Sequence, residues 1–114
     1  MAAYVHRTAD FAGVAPELLR DAALLSGLLV AAASAAGLGA GASPVVRQRG
    51  SDGLTAVLLL DAEGCHVAAH AFPDRKLLMV DVLVPSARDT DKVIDVFARK
   101  LDAKDVRRGI LHRG

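Results

Sequence analysis

The sequence predicts an α+β two-layer sandwich, a mostly antiparallel sheet with two helices on one face, in the order β-α-β-β-β-α-β. Three observations predict it. Short apolar runs separated by Gly- and Asp-rich turns fill the middle of the chain, the pattern of hairpin-linked strands. Two longer stretches instead place apolar residues at helical spacing. Two helices of that length cover only one face of a sheet, which leaves the other face for a second copy of the chain.

Tyr4 to Phe11 alternates loosely and is the first strand. Ala15-Pro16-Glu17 opens a helix, because proline suits the first turn and Glu17 complements the positive end of the helix dipole. Leu18, Leu19, Ala22, Leu25, Leu29, Ala32 and Ala36 share one apolar face, and Gly37, Gly39 and Gly41 end that helix. The glycines follow a helix and do not join a strand to one, so they are not a dinucleotide-binding loop. Pro44 to Gln48 is a short strand, Gly50-Ser51-Asp52-Gly53 a turn, and Leu54 to Leu60 a central strand. Asp61-Ala62-Glu63-Gly64 turns the chain into a returning strand, Cys65 to Phe72. Pro73-Asp74-Arg75 turns it again into Leu77 to Val84. A helix from Asp89 to Leu101 buries Val93, Ile94, Val96, Phe97 and Leu101, and Val106 to Leu111 closes the sheet.

The length of 114 residues predicts a single domain, 1–114. Apolar residues make up 53% but aromatics only 4%, so the core is built from Leu, Val and Ala. A net charge of +1 argues against nucleic acid as a partner, and Lys104, Arg107, Arg108, His112 and Arg113 read as a solvated strand edge and tail. One cysteine cannot form an intramolecular disulfide, which fits a reducing cytoplasm. The first seven residues lack the basic-then-apolar order of a signal peptide. Residues 22–46 carry no charge, but their strong apolar cluster, Leu24 to Val30, is too short to cross a bilayer of about 30 Å. They predict a buried helix, with no membrane partner.

The middle of the chain carries a recognisable pattern. It reads Leu58-Leu59-Leu60-Asp61-Ala62-Glu63-Gly64-Cys65-His66-Val67-Ala68-Ala69-His70-Ala71-Phe72-Pro73-Asp74 and continues Leu78-Met79-Val80-Asp81-Val82-Leu83-Val84-Pro85-Ser86. This resembles the small prokaryotic S-adenosylmethionine decarboxylases. They have an apolar strand, a Glu-Ser-His step, a second His four residues on and a Trp-Pro-Glu, then a strand with an Asp followed by Cys-Gly. The two histidines keep their spacing, Phe72-Pro73-Asp74 replaces Trp-Pro-Glu, and Asp81 stands at the strand aspartate. The order of elements matches over nearly the whole chain.

The resemblance implies a proenzyme that cuts itself. In that family the serine attacks the carbonyl before it, and β-elimination then cuts the chain and leaves a pyruvoyl group at the new N-terminus. That group is the electron sink for decarboxylating S-adenosylmethionine in polyamine (spermidine) synthesis. Here Cys65 holds the serine's place, and a thiol is the better nucleophile. The scissile bond is then Gly64–Cys65, with Glu63 displaced by the extra residue. His70 matches the family's proton carrier and is expected to reach the turn of the neighbouring strand. Thr55 is the candidate for the processing serine once extra hairpin residues are absorbed; without that gap the position is Val57.

Two departures bear on activity. Pro85 stands where the family has its acid cysteine, and the adjacent Ser86 is an unactivated hydroxyl. The aromatics, Tyr4, Phe11, Phe72 and Phe97, include no obvious adenine stack. The alternatives are a decarboxylase of another amino acid such as arginine or ornithine, or an unprocessed relative that binds a ligand or a protein. Family resemblance suggests a homodimer. His66 and His70 share strand parity with Cys65 opposite, so the three make no metal site.

Overall fold

The strands form where alternation lets one side chain in two leave water. They are β1 (Tyr4–Ala12), β2 (Val45–Arg49), β3 (Gly53–Leu59), β4 (His66–Phe72), β5 (Leu77–Pro85) and β6 (Asp105–Arg113). In the computed structural model, which describes residues 2–61 and 64–114, they form one sheet in the order β2-β3-β4-β5-β1-β6. Every pairing is antiparallel. Four strands lie between the helical segments, one more than the order β-α-β-β-β-α-β contains. The strand that this order leaves out is β2, the short run read at Pro44 to Gln48, which pairs with β3 over five residues and forms one edge. β3 is therefore next to an edge, and β4 and β5 are the central strands.

The predicted long helix is two. Helix α1 (Pro16–Leu19) stops at Arg20, and α2 (Ala22–Ala35) begins anew. Asp21 makes the break, because its carboxylate accepts a hydrogen bond from Leu24 N at 3.0 Å and caps α2. At the far end Leu38 N donates to Ala33 O and Gly37 N to Ser34 O, with Gly37 left-handed at φ +71°. This is a Schellman stop. Helix α3 (Asp91–Leu101) lies beside α2 on the same sheet face. Among the described residues no helix is long and apolar enough to cross a membrane.

The helices cover the face bearing Ala9, Phe11, Leu58, Val67, Ala69, Val80 and Val82, all buried. Phe11 and Phe97 meet there with ring centroids 6.3 Å apart and tilted 37°. The Arg7 guanidinium lies under the start of α3, donating to buried Thr90 Oγ1 at 3.0 Å and pairing with Asp91. Arg108 of β6 holds Asp95 at 3.1 Å. The basic C-terminal residues thus lie on an edge strand, and one of them ties that strand to α3. Among the described residues the opposite face of the sheet bears no helix.

Candidate active site

Antiparallel partners point to the same side of a sheet, so register decides which side chains meet on the open face. One row runs Thr55, His70, Met79 and Asp10 across β3, β4, β5 and β1. The next runs Val57, Ala68, Asp81 and Thr8, and a third runs Leu59, His66, Leu83 and His6. Asp81 therefore sits diagonally between His70 and His6, within side-chain reach of both.

Thr55 Oγ1 lies 3.3 Å from His70 Nδ1. The other imidazole nitrogen, Nε2, lies 3.6 Å from Asp81 Oδ2, and Asp81 Oδ1 lies 3.3 Å from His6 Nε2. His6 Nε2 is buried and makes no hydrogen bond among the described residues, because the Asp81 oxygen is off its bonding direction. On the near side Arg49 Nε donates to Thr55 Oγ1 at 2.7 Å. The result is a polar line, Arg49–Thr55–His70–Asp81–His6, crossing a face that also bears Val57, Leu59, Met79 and Leu83 and the polar Thr8, Asp10 and His66.

Cys65 lies elsewhere. It precedes β4, is 2% exposed and belongs to the apolar core, and its carbonyl accepts from Leu60 N at 3.1 Å. His70 is five residues on, roughly 16 Å along an extended strand, and on the opposite face. The expectation that His70 reaches the turn of the neighbouring strand is therefore corrected: its partners are Thr55 of β3 and Asp81 of β5 in mid-sheet. Thr55, not Val57, stands opposite His70, and Val57 stands opposite Ala68. Glu63 lies outside the described residues.

Gly64, before the thiol, is left-handed at φ +68°, where a β-carbon is strained, and space around it is open. It lines a hollow of about 290 Å³ with Tyr4, Leu83, Arg113 and Gly114. Tyr4 and Leu83 project on the open-face side, so this hollow runs from the open face to Gly64. Pro85 pairs with Tyr4 at the end of β5. The Ser86 hydroxyl donates to Ala2 O at 3.2 Å and its N–H to Ala3 O at 3.0 Å, which ties it to the N-terminal strand.

The family model for S-adenosylmethionine decarboxylase matches residues 5–114. The chain belongs to the S-adenosylmethionine decarboxylase family. A crystal structure of the adenosylmethionine decarboxylase from Aquifex aeolicus VF5 superposes with a TM-score of 0.86 at 25% identity. The match covers 99% of this chain and 92% of that one. No curated protein sequence matches the chain. The two-layer α+β architecture is thus the S-adenosylmethionine decarboxylase fold.

Sequence reasoning left His6 and Arg49 out of the site. His6 was legible in part, because it has the same parity as Thr8 and Asp10, the polar side of β1. Arg49 was not, since a basic residue beside a turn is normally in water.

Proposed function

We infer that this chain is a self-processing decarboxylase that acts on S-adenosylmethionine. The observation that carries the reading is the register of β3 against β4. Thr55 stands directly opposite His70 and within hydrogen-bond reach of it, so the extra hairpin residues are absorbed in the turn before Cys65.

The Cys65 thiolate adds to the Gly64 carbonyl carbon. The C–N bond breaks, the amine takes a proton, and a thioester results. Loss of the Cys65 Cα proton to a base then breaks the Cβ–S bond, leaving a thiocarboxylate on Gly64 and dehydroalanine at 65. Water adds there, ammonia leaves, and a pyruvoyl carbonyl remains. The residues present fit this chemistry: a thiol next to the least hindered acyl group, on a left-handed glycine that opens onto a hollow. When formed, the pyruvoyl group supplies an electron sink for loss of carbon dioxide. The decarboxylated product would serve spermidine synthesis.

Thr55 and His70 are the pair that moves the proton. They cannot serve Cys65 of their own chain, being about 16 Å along β4 and on the other face. A second copy packed on the open face brings its own pair to this chain's Gly64–Cys65 end. The apolar rows on that face, Leu59, Leu83 and Leu111 among them, are the surface such a homodimer would bury. Tyr4 and Arg113 would hold the substrate in the hollow, the ring by stacking and the guanidinium by its carboxylate.

The test is the intact mass of the purified protein under reducing conditions. Fragments 1–64 and 65–114, the second with a blocked, carbonyl-bearing N-terminus, are expected. A chain that stays whole through long incubation across pH overturns the reading.

A further inference from the structure

Arg49 is held at four points. Its Nε donates to Thr55 Oγ1 at 2.7 Å, and Nη2 donates to the carbonyls of Leu54 at 3.0 Å and Ala71 at 2.7 Å. Its Cζ lies 4.4 Å from the centre of the Phe72 ring. One side chain from the edge strand β2 thus contacts β3 and β4 at the level of the Thr55–His70 pair. The carbonyls and the ring fix the plane of the guanidinium, and that plane aims the single Nε–H.

We propose that Arg49 is a positioning residue that turns the Thr55 hydroxyl toward His70. A hydroxyl has one hydrogen to give and can accept. Arg49 Nε has no lone pair and only donates, so it takes one acceptor position of Thr55 Oγ1 and turns the hydroxyl hydrogen away from its own side. The hydroxyl hydrogen then points to the nearest other acceptor, His70 Nδ1 at 3.3 Å. That leaves the imidazole proton on Nε2, the nitrogen facing the Asp81 carboxylate. Both ends of the line select one tautomer. His70 Nδ1 can then take a proton only by way of Thr55, which makes Thr55 Oγ1 the atom presented to the reacting bond. Lysine cannot replace Arg49, because one ammonium group does not reach two carbonyls and a hydroxyl from one plane.

The inference rests on the Thr55–His70 pair as the proton carrier, and its test separates the two. The His70 nitrogen shifts are recorded by NMR in the full chain carrying Cys65→Ala, which holds it uncut, at a pH where histidine is neutral. The chain without further change marks the hydrogen-bonded position of Nδ1, and Thr55→Val marks the position without a hydroxyl. Arg49→Met and Arg49→Lys are expected to move Nδ1 most of the way toward the Thr55→Val value, with the amide spectrum otherwise preserved. In chains with Cys65 intact, the same changes should slow self-cleavage by at least tenfold. An Nδ1 shift that stays put in both Arg49 variants overturns the proposal. So does a shift that moves while cleavage keeps its rate. If Arg49→Met does not fold, Arg49→Lys alone decides. A chain that never cleaves defeats the decarboxylase reading, while the nitrogen shifts separately decide whether Arg49 orients Thr55.

Discussion

Thr55 and His70 face each other across β3 and β4, with the hydroxyl oxygen 3.3 Å from the imidazole Nδ1. Neither is near Cys65 of the same chain.

Thr55 and His70 form one unit, so their substitutions should not add. Thr55→Val and His70→Ala are each expected to slow self-cleavage by about 10²–10⁴-fold, the usual worth of a placed proton carrier. The double variant should be no slower than the worse single one. Thr55→Ser should keep most of the rate. Cleavage time courses on gels check all four, and multiplied single effects in the double variant would mean that the two act apart.

The sulfur of Cys65 should leave a signature. With Cys65 the fragment ending at Gly64 carries a thiocarboxylate before hydrolysis, and with Cys65→Ser it carries a carboxylate. Prompt mass spectrometry of the fragment is expected to show the sulfur-for-oxygen difference. Cys65→Ala should show no cut.

The open face should be an interface. Leu59 and Leu111 are 55% and 58% exposed in the single chain, so Leu59→Asp and Leu111→Asp remove no core contact. Both variants are expected to sediment as folded monomers and to cut poorly. Dimers that persist in the double variant would place the interface elsewhere.

Gly64 is left-handed with open space where a β-carbon would go, so a substitution there meets backbone strain and no clash. Gly64→Val should lower stability by about 1 kcal/mol or more, and Gly64→Asn by less, since Asn tolerates that region. Chemical denaturation of uncut Cys65→Ala chains checks the order.

Arg20 grips Asp52 with two hydrogen bonds of 2.8 and 3.1 Å, joining the break between α1 and α2 to the β2–β3 turn. The guanidinium holds the Asp52 carboxyl below the usual carboxylate range, chiefly through that hydrogen bonding. A lowered folded pKa contributes stability above the unfolded value, and the contribution is lost as pH falls through the folded one. Asp52→Asn should therefore cost a small part of the melting temperature at neutral pH, less at high salt, and nothing in strong acid. A gap that persists in strong acid would mean that the Asn acts by another route.

Periodicity and turn residues alone determined six strands, the helical segments, the helix stop at Gly37 and the apolar core, because those depend on neighbours in the chain. The order of residues around Cys65 and His70 likewise carried the family resemblance. Local pattern misjudged the helix break, where the Asp21 side chain outcompetes the continuing apolar face by capping α2. The candidate site needed the tertiary structure. Which of Thr55 and Val57 meets His70 depends on how many residues the hairpin turn absorbs, and a register cannot be counted from one strand. Asp81, His6 and Arg49 come from three other strands, 11, 64 and 21 positions from His70 in the sequence. Only cross-strand pairing puts them on one face. The distance from His70 to Cys65 follows from the same geometry: strand alternation shows that they point apart, and the sheet shows that His70's partners lie in mid-face.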